Sequence, residues 1–190
     1  MKPKEYLKLL EVFEKLKDTT RHSWTSRGRI ESVAEHSWRT AVMAFLMQDE
    51  FGGQKIDTNK VMAMCLFHDL GEAVTGDIPA WKKTAKDCEI ESRELHKLLN
   101  TFPQSVKAKL KPLLMEFEEQ ITPESKLAKA LDKFETIIQH NEANISTWTN
   151  AECIDHTTNF HYLDNYMITP ELEQLKNELH TQMIQKVKNK

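Results

Sequence analysis

Cysteine, glycine and long apolar runs are all scarce in this chain of 190 residues. The cysteines, Cys65, Cys88 and Cys153, are odd in number, widely spaced and without a CxxC pair, which fits a reducing compartment better than a disulfide framework. Only 5 glycines occur, and apolar residues recur at three- and four-residue intervals, so strand-like alternation never becomes established. No apolar run reaches the roughly 18 residues that a transmembrane helix needs. The amphipathic start, MKPKEYLKLLEVFEKLK, lacks the uninterrupted apolar core of a signal peptide. A large charge of one sign is also missing: the net −3 is too small and too mixed to mark a nucleic-acid or membrane surface. These absences place the protein in the cytoplasm, with neither a nucleic-acid polymer nor a membrane as partner. An anionic ligand would have to find its positive charge locally.

What remains is an ordinary globular composition, 39% hydrophobic and 29% charged, sized for one substantial core. We read residues 1–190 as a single all-α domain, with a motif-bearing core over about 21–145 and C-terminal helices over about 147–190. A first helix over 3–17 has Tyr6, Leu7, Leu10, Phe13 and Leu16 or Leu9 on its buried side, and 17–31 reads as a loop. Ser32 and Glu35 have the S-x-x-E spacing of a capping box, starting a helix whose apolar face continues through Val42, Phe45 and Leu46 to FGG at 51–53. Asp57 caps a third helix that reaches Glu72, after which Gly76 and Pro79 break the chain. Helices over 84–101 and 103–120 follow, and Thr122 with Pro123 starts a long one ending near Asn144. The stretch from Thr147 to Met167 has no decisive pattern, and a last helix runs from Pro170 into a lysine-rich tail expected to fray.

The segment CLFHDLGEAVTGDIP, residues 65–79, closes an apolar helix with an excess of charge. At 100° per residue His68 and Glu72 form an i, i+4 pair, with Asp69 on the same side. Each alone reads most simply as a surface or hydrogen-bonding group. The preceding VMAMCLF, however, is apolar on nearly every face and therefore deeply packed, and a His–Asp pair emerging from it is costly to desolvate without compensation. A divalent metal provides that compensation, because it binds neutral imidazole and carboxylate oxygen directly. Further ligands have to face inward from other helices. His36, on the buried side of the capped helix, is one candidate. Asp132 in KALDKFETII is the other, although an i, i+3 pair with Lys129 accounts for it equally well. His22, His96, His140, His156, His161 and His180 show no comparable arrangement and read as surface.

The order H…HD…D, here His36, His68 with Asp69, and Asp132, resembles the metal-binding signature of HD-domain phosphohydrolases. SVAEHSWR, FHDLGEAVTGDIP and LDKFE are similar to motifs of their 5′-deoxynucleotidase branch, in the same order over 21–142. The resemblance implies a helical bundle with the metal site in its core: one divalent cation (Mn, Co, Zn, Fe or Mg) held by His36, His68, Asp69 and Asp132. It also implies hydrolysis of nucleoside 5′-monophosphates to nucleoside and phosphate, with deoxyribonucleotides preferred, by a homodimer. By the same resemblance Glu72 serves water activation or proton transfer, and Asp77 orients the nucleophile or protonates the leaving oxygen.

Arg21 matches a family arginine that contacts phosphate, a role suited to the guanidinium fork. Some relatives carry a tryptophan directly after it. This chain has His22 there, so the nearest aromatic, Trp24, becomes the candidate substrate contact. Arg27, Arg29, Lys82 and Lys83 are further cations near the expected cavity, and Gln139 and Glu142 continue the Asp132 face. Trp81 and Trp148 could stack a base, although an aromatic in a helical protein is more often core. Two alternatives stay open: an HD hydrolase of a triphosphate, cyclic nucleotide or alarmone, and a non-catalytic metal-binding interaction domain. The missing GYP extension speaks against a cyclic-dinucleotide substrate, and the intact Glu72 and Asp77 speak against binding alone.

Overall fold

The computed structural model describes residues 1–50, 55–79 and 81–189, the side chains of 155–157 excepted. Along the chain lie α1 (Pro3–Asp18), β1 (Thr20–Trp24), β2 (Ile30–Ser32), α2 (Val33–Leu46), α3 (Thr58–Phe67), α4 (Glu72–Thr75), α5 (Ala85–Asn100), α6 (Gln104–Glu119), α7 (Pro123–Glu142), α8 (Asn150–Thr158) and α9 (Pro170–Lys188). Short 3-10 turns at Gln48–Glu50, Ile145–Thr147 and His161–Tyr166 fill the connections. Among the described residues the fold is all-α apart from one hairpin, and no helix is long and apolar enough to cross a membrane.

The capping side chains do what their spacing predicts. The Ser32 hydroxyl accepts from the Glu35 amide while Glu35 accepts from the Ser32 amide, and Asp57 and Thr122 accept from the amides of Lys60 and Ser125. Each such cap contributes about 1 kcal/mol to its helix. The FGG stretch expected to end the second helix lies outside the described residues, and α2 already stops at Leu46. The segment from Thr147 to Met167 resolves into α8 between two 3-10 turns, and the C-terminal helix stays regular through Lys188 instead of fraying at its lysines.

Residues 17–31 are not the expected loop. They hold an antiparallel hairpin in which Thr20 pairs with Ser32 and Trp24 with Ile30. Gly28, with φ of +80°, supplies the turn conformation that side-chain-bearing residues disfavour. The strand TRHSW escapes a hydrophobicity pattern because the residues it buries, Arg21 and Ser23, are polar. The third helix is also shorter than expected. Past Phe67 the bonds tighten, Leu70 N donating to Phe67 O and Glu72 N to Asp69 O, before α4 resumes.

Two burial expectations need correction. On α1 the buried side chains are Leu9 and Leu16, with Phe13 packed alongside, whereas Tyr6, Leu7 and Leu10 face solvent. On α2 Phe45 and Leu46 are 55% and 71% exposed, and the inward face is made of Val33, His36, Ser37, Thr40, Ala41 and Ala44. These small residues let α2 pack closely on α3 and α7, which leaves the large apolar ones outside.

The core consists of two apolar clusters. One gathers Ala41, Ala44, Met64, Cys65, Leu131 and Phe134 with the C-terminal helices; the other gathers Leu9, Leu16, Val33, Leu70, Leu99 and Leu114. Along α2 the chain passes from Val33 in one cluster to Ala41 in the other, and His36 falls between them. From Cys65 to Leu70 it passes back, with His68 and Asp69 between. The polar residues therefore occupy the seam of the core.

Candidate metal centre

α2, α3 and α7 pack against one another, and each brings a polar residue to that seam. His36 Nε2 stands 3.3 Å from His68 Nε2, 3.7 Å from Asp69 Oδ2 and 3.3 Å from Asp132 Oδ1. His68 Nε2 stands 3.1 Å from Asp69 Oδ2 and 3.6 Å from Asp132 Oδ1. Donors held about 2.1 Å from one ion in octahedral or tetrahedral array lie about 3.0–3.4 Å apart, so His36, His68 and Asp69 are spaced as donors to one divalent cation, with Asp132 Oδ1 beside both imidazoles. The tightened turn after Phe67 makes this possible. On a continuous helix adjacent residues diverge by 100°, yet here His68 and Asp69 both reach the same point.

The far sides of the donors are anchored. His36 Nδ1 bonds to Glu135 Oε2, and His68 Nδ1 lies 2.9 Å from the Cys65 carbonyl, so both rings turn Nε2 inward. Glu135 is in turn gripped by Arg39 Nε at 2.6 Å. The two readings of Asp132 coexist: its Oδ1 faces the imidazoles while Oδ2 pairs with Lys129 at 3.1 Å and Lys133 at 3.4 Å. Such outer partners fix ring orientation and raise ligand basicity.

Electrostatics follow from this crowding. Burial disfavours charge on His68, but Asp69 and Asp132 outweigh it and hold the imidazole up to about 10, so an arriving cation displaces a proton. Burial works against ionised Asp69 and Asp132 too, yet His68 and the lysines Lys133 and Lys129, respectively, keep both carboxyls below the usual range. Glu72 goes the other way. Burial, then the charges of Asp69 and Asp77, push it up to about 10, and its Oε2 is buried with no hydrogen-bond partner among the described residues.

Through Asp69 and Asp132 the centre borders a cavity of about 520 Å³, also lined by Arg21, His22, Glu72, Asp77, Trp81, Lys83, Lys133 and Tyr162 among others. That volume suits a nucleotide-sized ligand. Arg21 is buried, with Nη1 3.6 Å from Asp69 Oδ2 and Nη2 donating to Thr136 Oγ1 at 3.0 Å. Its ion partner Glu31, 3.3 Å from Nε, is pushed up to about 7 by burial and by Glu135. Gly76, with φ of +73°, caps α4 and turns the chain so that Asp77 lies 3.8 Å from His22 Nδ1. A second cavity of about 430 Å³ is lined by His68 as well as by Asp69, Lys83 and Lys129, but is walled by α5 and α6 and lacks Arg21 and Asp77.

Several expected contacts fall elsewhere. Trp24 does not line the cavity: β1 runs beside α7, so Arg21 meets Thr136 while the Trp24 carbonyl accepts from Gln139 Nε2 at 2.6 Å, about 10 Å along the helix from Asp132. Gln139 thus ties the hairpin down, and Glu142 pairs with Arg39 at the surface. Arg27, Arg29 and Lys82 are exposed, and Arg29 is occupied by Glu35. Trp148 is core, donating from Nε1 to the His140 carbonyl. Of the histidines expected at the surface, His96 and His161 are exposed, His180 is half-buried, and the side chain of His156 lies outside the described residues. His140 is buried and His22 walls the cavity, a correction to both. The sequence reading also missed Glu31 and Glu135, whose only signal was a carboxylate among apolar neighbours.

The model of the HD domain family matches residues 13–176. The 5′-deoxynucleotidase HDDC2 of Dictyostelium discoideum is 33% identical over 145 residues, 72% of this chain and 76% of that protein. The Homo sapiens protein of that name is 30% identical over 140 residues, covering 72% and 67%. Among solved structures, a conserved hypothetical protein of Pyrococcus furiosus superposes with a TM-score of 0.74 at 29% identity, over 92% of this chain and 99% of that one. A "Predicted metal-dependent phosphohydrolase" of Magnetospirillum magnetotacticum shares the fold, with a TM-score of 0.77 at 24% identity over 97% and 92%.

Proposed function

As the chain belongs to the HD domain family, we propose that it is a metal-dependent phosphomonoesterase that hydrolyses deoxynucleoside 5′-monophosphates to nucleoside and phosphate. The observation that carries this reading is the convergence of His36, His68, Asp69 and Asp132, the last two of which line a nucleotide-sized cavity together with Arg21, Glu72 and Asp77. Its relatives' 5′-deoxynucleotidase names support the substrate class. Two imidazoles among the donors favour a first-row ion such as Fe, Co, Zn or Mn over Mg. A cation bound there supplies Lewis-acid polarisation of the phosphoryl group and acidifies water.

The chain's own residues do the rest. Arg21 forks onto phosphate oxygens, its charge secured by Asp69 and Glu31 against burial. Glu72, unpartnered at Oε2 among the described residues, holds a proton in the metal-free pocket; with the burial and negative charge that keep it there offset by a cation beside Asp69, the carboxylate is freed to take the proton of the attacking water. Asp77 orients that water or relays the proton taken by Glu72 to the leaving 5′-oxygen. Trp81 and Tyr162 at the outer wall receive the base, with Trp24 kept to holding the hairpin.

The whole of 1–190 acts as one domain and pairs with a second copy through the outward stripe Trp38, Phe45 and Leu46 of α2. Cys65, Cys88 and Cys153 form no disulfide among the described residues, which suits the cytoplasm. Metal-free protein restored separately with Mn²⁺, Fe²⁺, Co²⁺, Zn²⁺ or Mg²⁺ is expected to release phosphate from deoxyribonucleoside monophosphates faster than from ribonucleotides. No release from any monophosphate with any ion overturns the reading, and turnover of only triphosphates or cyclic nucleotides replaces it with another HD hydrolase.

A further inference from the structure

The geometry points to a second cation site, separate from the four-donor centre, formed by His22 of β1, His140 of α7 and Glu152 of α8. One donor atom from each lies within 4.8 Å of the others. His140 and Asp132 are eight residues apart on α7, about 12 Å along its axis, so the two sites hold different ions.

Each donor is set as a ligand would be. His140 repeats the arrangement of His68: its Nδ1 lies 2.9 Å from a carbonyl of its own helix, Thr136 O, which turns Nε2 towards Glu152 Oε1 at 3.7 Å. Glu152 is pinned by its other oxygen, Oε2, which accepts from the Thr149 amide at 2.6 Å at the start of α8. This leaves Oε1 directed at His140. The His22 ring lies 5.2 Å from that of His140, and its buried Nδ1 makes no hydrogen bond among the described residues, with the Asp77 carboxylate 3.8 Å away. Burial also lowers the proton affinity of His22, against the pull of Asp77, which keeps the neutral, ligating form at pH 7. Two nitrogens and one oxygen with a fourth position open make a donor set suited to Zn²⁺. Tetrahedral donors stand about 3.4 Å apart, so the three side-chain tips need draw in by only about an ångström. His22 lines the large cavity, which provides the ion's path from solvent. Bound there, the ion ties β1 and α8 to α7.

Equilibrium dialysis of the metal-free full chain against Zn²⁺, followed by elemental analysis, tests this. Wild type is expected to bind two equivalents. Glu152→Gln, which keeps an acceptor for the Thr149 amide, and His140→Gln should each bind one, while Asp69→Ala should lose the other equivalent instead. In the Asp69→Ala background, Zn²⁺ should still raise the thermal midpoint, and adding Glu152→Gln should abolish that rise. One equivalent in wild type, or two in a folded Glu152→Gln variant, overturns the proposal.

Discussion

Glu135→Gln removes one negative charge from the interior at almost constant volume, three residues beyond Asp132. The carboxylate is fully buried and has two partners, His36 Nδ1 and Arg39 Nε. A carboxylate on the far nitrogen of a ligating imidazole holds the tautomer and strengthens the ligand, and loss of such a partner lowers metal affinity about 10- to 100-fold, equivalent to about 1.4–2.7 kcal/mol. The stability cost should be smaller than for an orphaned buried charge, since Arg39 is partly exposed and keeps Glu142 at 2.7 Å. We expect about 1–3 kcal/mol there. Competitive Co²⁺ titration measures the affinity, and kcat at saturating metal should stay near wild type because the Nε2 donor remains. Arg39→Met, which strips the same carboxylate of its other partner without touching His36, should change metal affinity far less. An unaltered Kd in a folded Glu135→Gln variant would refute the claim that Glu135 acts through His36.

Glu72→Gln should keep its metal and lose about 10²–10⁴-fold in kcat, and normal turnover would remove Glu72 from the chemistry. In the metal-free protein His68 and Glu72 are both held up to about 10, above their unfolded values near 6.5 and 4.5. Raised groups contribute stability that is complete below the unfolded pKa and is lost as pH rises through the folded one, so the Glu72 contribution declines from about pH 4.5 and that of His68 from about 6.5, and the metal-free thermal midpoint should fall most steeply between pH 6.5 and 10, where both act. Metal affinity should rise over the same window because binding displaces the His68 proton; parallel slopes with and without metal would contradict this. Phe134→Ala, at a fully buried position on α7 beside the site, should cost about 3–5 kcal/mol in denaturant unfolding.

Much of the architecture is legible locally. Capping side chains at Ser32, Asp57 and Thr122 act within one turn, so the starts of α2, α3 and α7 can be read from spacing alone. His68 and Asp69 stand out for a similar reason, since adjacent charge after VMAMCLF is anomalous in one dimension. Burial of α1 and α2 is different. Their apolar residues run most of the way round, and the partner helix chose Leu9 over Leu7 and Ala44 over Phe45.

The linear order of residues determined the helical class, the helix starts and the one segment where charge interrupts an apolar run. Tertiary packing decided that Asp132 splits its two oxygens between the centre and two lysines, that Glu135 backs His36 from 99 positions away, and that Arg21 reaches Asp69 from a hairpin rather than a loop. Local patterns record interactions within a helical turn, whereas a buried polar residue finds its partner across the core. In the sequence such a residue looks no different from a solvated one until the helices are placed side by side.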